Sequence, residues 1–179
     1  MRIVLCAVAL AALSLSGCQL LPSAPPTLSA SSAALVDAGV RGMMGGIARD
    51  VTQGGPAAWL KYFSATPAFF MASEGHLEFP DAASATRTTR DLATKISQID
   101  LKWGRDLRVD PLTPNLAAVA ASWHESLKLT AGGSMDESGF FTGIAEYRDG
   151  RWQLRDAHWS VAKPPPAPTP AEAAPPATK

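Results

Sequence analysis

GFFTGIAEYRDGRWQLRDAHWS, residues Gly139–Ser160, is the stretch on which the reading of the whole chain turns. Asp149-Gly150 between two alternating runs is a strong short-range signal for a β-hairpin. A two-residue turn pairs Arg148 with Arg151. One face then carries Phe141, Ala145, Tyr147, Trp152, Leu154, Asp156, His158 and Ser160. The other carries Phe140, Thr142, Ile144, Glu146, Gln153, Arg155 and Trp159. The first face reads as a concave sheet surface, with apolar bulk near the turn and a few polar groups beyond it. A three-residue loop with Gly150 left-handed slips the register by one and brings Thr142 and Glu146 to Trp152 and His158.

Upstream the same period of two continues. Ile99, Leu101, Trp103, Leu107 and Val109 alternate with polar residues, and Arg105 falls on the apolar side. Pro111–Asn115 makes a turn. Val119, Ala121, Trp123, Leu127 and Leu129 then share a face with Glu125, while His124 points the other way. Before Ile99 the period is 3.6. Val36, Val40, Met43, Met44, Ile47 and Val51 form one face of an amphipathic helix, interrupted by Gly39, Gly42, Gly45 and Gly46. Gly54-Gly55-Pro56 ends it and opens a second helix with Trp59 and Phe63 one turn apart. Two short strands follow, Ala68–Ala72 with Phe69 and Met71, and Leu77–Phe79. Asp81 caps a third helix over Ala82–Ser97.

The ends have a different composition. Residues 1–17 contain one basic residue and the apolar run IVLCAVALAALSL, the pattern of a secretory signal rather than a spanning helix. Leu15-Ser16-Gly17-Cys18 resembles the bacterial lipobox. That resemblance implies cleavage before Cys18 and acylation of its thiol and amine, with chains such as palmitate. Gln19 after the cysteine resembles outer-membrane rather than inner-membrane retention, on the periplasmic face of the cell envelope. Residues 18–30 read as the lipidated cysteine and a flexible tether, 31–162 as one folded domain, and 163–179 as a disordered Pro/Ala-rich tail. Sixteen basic and sixteen acidic residues cancel, which points away from nucleic acid as a partner.

The element order implies an α+β fold, a cone-shaped, strongly curved antiparallel sheet packed on three N-terminal helices. With the strings Trp59–Phe63, Phe69–Gly75, Gly139–Glu146 and Gly150-Arg151-Trp152…His158-Trp159-Ser160, the chain resembles the nuclear transport factor 2-like superfamily, and within it the SnoaL-like proteins. The resemblance implies a pocket inside the cone. Family members include isomerases, dehydratases, cyclases and noncatalytic binders, so the fold does not choose a reaction.

Side-chain parity places Arg105, Glu125, Asp156, His158 and Ser160 on inward faces otherwise lined by Trp103, Trp123, Trp152 and Phe141, with Trp59, Phe69 and Met71 facing them. One reading pairs Arg105 with Glu125 or Asp156 and leaves His158 a satisfied core residue. In the other, these groups form the polar end of a small-ligand pocket. His158 then acts as base with Asp156 or Glu125 orienting it, or a carboxylate raised by apolar surroundings takes the proton. No metal-ligand spacing, P-loop, dinucleotide fingerprint or Gly-x-Ser-x-Gly occurs, so no metal or cofactor is expected. Phe140, Ile144 and Trp159 on the outer sheet face suggest a homodimer. The leading expectation is a membrane-anchored lipoprotein binding a small apolar ligand without catalysis. The alternatives are an acid–base isomerase, cyclase, dehydratase or hydrolase, or a structural module with a filled core.

Overall fold

A computed structural model describes residues 28–163; the signal, Cys18, most of the tether and the Pro/Ala-rich tail lie outside the described residues. Helix α1 (Ala30–Gly54) starts where the Ser29 hydroxyl accepts from the Ser32 N–H. It ends at Gly55, whose φ of 71° turns the chain and whose N–H donates to the Val51 carbonyl. All six apolar residues of its expected face are buried. The second helix is a single 3-10 segment, Pro56–Lys61, with Pro56 at its start. Strands β1 (Phe70–Ser73) and β2 (His76–Phe79) form a tight hairpin around Glu74 and Gly75, both at positive φ. Helix α2 (Ala82–Lys95) opens on a reciprocal cap: the Asp81 carboxylate accepts from the Ser84 N–H, and the Ser84 hydroxyl meets the Asp81 backbone.

The remaining chain is sheet: β3 (Ile96–Trp103), β4 (Arg108–Thr113), β5 (Leu116–Leu129), β6 (Ser134–Arg148) and β7 (Arg151–Val161). The spatial order is β2-β1-β7-β6-β5-β3, with β4 also paired to β5. The sheet is mixed rather than purely antiparallel, because β1 runs parallel to β7. The expected single strand from Ile99 to Val109 is two strands. Between them the Gly104 N–H donates to the Ser122 carbonyl, and the Asp106 carboxylate accepts from both the N–H and the hydroxyl of Ser122. Those bonds turn the chain and leave Arg105 exposed.

The Asp149-Gly150 turn has two residues, as Arg148 faces Arg151 and Tyr147 faces Trp152. Four pairs along, the ladder changes. Ala145 faces Leu154, but Ile144 faces Asp156, so Arg155 is an extra residue in β7. A bulge of this kind reverses the side-chain parity of everything beyond it. Ala157 and Trp159 therefore turn inward, and Asp156, His158 and Ser160 turn outward, contrary to the regular alternation.

The core lies between α1 and the concave side of the sheet, and the helix glycines take part unequally. A Cβ on Gly39 would run into the Trp152 indole, and one on Gly46 would meet the Tyr62 hydroxyl at 2.7 Å. Gly42 and Gly45 are exposed with nothing within 4 Å. Gly42→Ala and Gly45→Ala are each expected to stabilise the domain by about 1 kcal/mol, the helix-propensity difference. Gly39→Ala is expected to destabilise it by displacing Trp152. Urea denaturation of the three variants checks this, and equal effects would contradict it.

Candidate functional site

A cavity of about 250 Å³ opens between the concave sheet, the 3-10 helix, the β1–β2 hairpin and α2. Its walls are mainly apolar and include five aromatic residues, Trp59, Phe63, Phe79, Phe141 and Trp159. Each wall has a sequence cause. Trp59 from the 3-10 segment and Phe63, two residues past its end and bridged to Leu154, stack with ring centroids 5.8 Å apart. Phe141 comes from β6, and Trp159 comes from β7 only because of the extra residue at Arg155. Trp159 then packs edge-on to Trp59 at 5.8 Å and against Trp123 at 4.4 Å. Apolar cavities of about 150 Å³ hold a benzene-sized guest, so this one has room for a small ring compound.

The polar lining is sparse, Ser73, Glu78, Thr89 and Glu125, with no basic residue among the described residues. Glu125 lies inward on β5, between Trp123 and Leu127, and faces Leu101 of β3 and Glu137 of β6 across the ladder. Burial first, and repulsion from Glu137 second, push its carboxyl up to about 7. At neutral pH the group is poised between acid and base, and it can donate as well as accept a hydrogen bond.

The expected site residues divide. Glu125, Trp59, Met71 and Phe141 line the cavity. Trp103 and Trp123 support it from behind. The Trp103 indole N–H donates to the Met44 carbonyl at 2.8 Å, and its ring lies 5.8 Å from Trp159. The Trp123 indole N–H is buried without a hydrogen-bond partner among the described residues. Phe69 is wholly core, 4.8 Å from Phe63, and Trp152 fills the space at Gly39 of α1. Arg105 is exposed on the β3–β4 connection and does not reach Glu125 or Asp156 through any ion pair described.

His158, Asp156 and Ser160 are on the convex side, a correction forced by the bulge. The Ser160 hydroxyl donates to the Phe140 carbonyl. His158 and Asp156 line an open outer groove with Phe70, Thr142 and Ile144. The Asp156 carboxylate accepts from the Ile144 N–H at 3.2 Å, yet burial still raises its pKa. His158 and Glu125 are thus separated by the sheet and form no dyad. Trp159, expected on the outer face, is inside; that face keeps Phe140 and Ile144. Sequence reasoning missed Trp159, Phe63, Phe79 and Glu78 as cavity lining. A signal for the first was available: the apolar residues Trp152, Leu154, Ala157, Trp159 and Val161 are spaced 2, 3, 2, 2, and the odd step marks the extra residue.

No family model matches the sequence, and no curated protein matches it. Solved structures do match in three dimensions. A nuclear transport factor 2-like superfamily protein from Salmonella enterica serovar Typhimurium is similar at a TM-score of 0.63 and 13% identity, over 76% of this chain and 98% of that one. A scytalone dehydratase-like protein of Novosphingobium aromaticivorans gives 0.66 and 10%, over 75% and 89%. A type 2 hexachlorocyclohexane dehydrochlorinase gives 0.62 and 12%, over 75% and 90%. The fold is nuclear transport factor 2-like. At these identities the likeness carries the fold and no activity.

Glu125 makes stability depend on pH in a fixed direction. A carboxyl whose folded pKa is about 7, against 4.5 ordinarily, holds its proton more tightly in the folded state. Stability is therefore lost as pH rises through the interval from 4.5 to 7. Glu125→Gln removes this loss. It is expected to match the parent in urea denaturation at pH 4 and to exceed it by about 2 kcal/mol at pH 8. A constant difference across that range would show that the carboxyl is not perturbed.

Proposed function

We propose that this protein is an envelope lipoprotein, held to the membrane by acyl chains on Cys18, whose hollow domain takes up a small, largely apolar molecule without transforming it. The observation that carries the binding half is the cavity itself. Trp103, Trp123 and Trp152 do not fill it; they pack around or away from it, and five other aromatic rings line about 250 Å³ of space. Ligand sites are of this kind, concave and apolar with few polar groups. The anchoring half rests on Leu15-Ser16-Gly17-Cys18 directly after the apolar run.

One observation favours a second reading. A carboxyl near pKa 7 in an apolar cavity suits general acid–base catalysis, so Glu125, with no histidine partner in the cavity, could move a proton on a bound substrate. Native mass spectrometry of protein taken from its own envelope separates the two. One retained small molecule at unchanged mass supports binding. A substrate and product pair whose ratio changes in Glu125→Gln supports catalysis.

Two further outcomes are expected. Indole or naphthalene added to the protein will give a saturable heat of binding in isothermal titration, from contacts with rings such as Trp59 and Trp159. Leu92→Trp, at the α2 rim of the cavity, will weaken that response at least about tenfold with an unchanged circular dichroism spectrum. An unaltered response in this variant would place the binding elsewhere. Cys18→Ser will move the protein from the membrane fraction to the soluble one and remove the acyl mass; retention of both would end the anchoring proposal.

A further inference from the structure

The cavity's electrostatics go further than its size. We infer that the ligand of this cavity is a hydrophobic cation, an aromatic or alicyclic amine carrying its charge toward Glu125. The inference rests on the binding reading above and specifies its ligand class.

Three features of the lining carry it. The ionisable side chains that line the cavity are both acidic, Glu125 from β5 and Glu78 from β2. Glu137 of β6 stands opposite Glu125 in the ladder and adds a third acid beside it. From the other elements facing Glu125 come uncharged groups: Leu101 of β3, and Thr89 and Leu92 of α2. Among the described residues, an anionic guest such as a fatty acid would therefore meet carboxyls and no cation along the wall. A neutral guest would leave Glu125 and Glu137 repelling each other, as they do in the empty site.

An ammonium answers both problems. It gives Glu125 an opposite charge in a low-dielectric surrounding and removes the penalty of ionising it beside Glu137. The wall itself assists. The faces of aromatic rings are negative, and a cation within about 6 Å of a ring centroid is attracted to it, most strongly for tryptophan. Trp59, Trp159, Phe63 and Phe141 all line the same space as Glu125. The rings accept the apolar body of the guest, and the carboxyl accepts its charged N–H.

Three probes of one shape test this by isothermal titration at pH 8: 2-phenylethylamine, 2-phenylethanol and phenylacetate. The amine is expected to bind at least about tenfold more tightly than the alcohol, and phenylacetate more weakly than either. Glu125→Gln is expected to abolish the preference, so that amine and alcohol bind that variant within about twofold of each other. Glu78→Gln, at the exposed carboxylate of the lining, is expected to weaken the amine about twofold to threefold. Equal binding of amine and alcohol, preference for phenylacetate, or an amine affinity untouched by Glu125→Gln would each overturn the cation inference while leaving the cavity a binding site. Failure of all three probes to bind would overturn the binding reading and this inference with it.

Discussion

Strand β7 has to satisfy two different neighbours on one edge, and the extra residue at Arg155 is how it does so. Near the turn, the Leu154 N–H donates to the Tyr62 carbonyl and the Leu154 carbonyl accepts from the Ser64 N–H. Beyond the bulge, Asp156 to Trp159 pair in parallel with Phe70 to Ser73 of β1. The chain between Ser64 and Phe70 leaves the edge and returns to it. Inserting one residue between the two pairings reverses the strand's facing, and the interior depends on that reversal. Without it Trp159 would stand in solvent and His158 would occupy the aromatic interior.

The resulting interior is unusual in what it leaves unpaired. Charged groups are rarely buried without a partner, and the alternative is to stay neutral. Glu125 takes that course only in part: burial and Glu137 raise its carboxyl to about 7, so at neutral pH it is protonated about half the time. The cost falls on stability at neutral and higher pH, where part of the population must carry an uncompensated charge. A site that keeps such a group is strained toward whatever relieves it, which gives the cavity a chemical preference as well as a volume. The Trp123 indole N–H, buried without a partner among the described residues, adds a second unsatisfied group to the same layer.

Much of this was legible from the residues. The six apolar positions of α1, the Asp81 cap, the two-residue turn at Asp149-Gly150 and the inward carboxyl of Glu125 follow from period, capping and turn chemistry. Two features were not. The break at Gly104 depends on a long-range tie between Asp106 and Ser122, which alternation within one segment cannot report. The bulge depends on what pairs with β7 from elsewhere in the chain. Both errors moved whole sets of residues between faces, because a strand's period of two magnifies a single misplaced residue. Parity therefore placed Glu125 inward, with Trp59, Met71 and Phe141 beside it, but it put His158 on the wrong side of the sheet and counted Phe69, Trp103, Trp123 and Trp152 as lining when they are not.

Helix α2 follows β2 after Pro80 and Asp81 and runs straight into β3, and those two strands are the opposite margins of the β2-β1-β7-β6-β5-β3 order. It therefore acts as a crossbar of fixed span, about 21 Å for its fourteen residues at 1.5 Å each. The curl of the sheet is thereby tied to the length of this bar, since only Pro80 and Asp81 join it to β2 and no residue separates it from β3. The capacity of the hollow is thus gauged by a segment that contributes few of its surfaces. One turn added or removed there would resize the chamber while leaving its tryptophans and its glutamate in place.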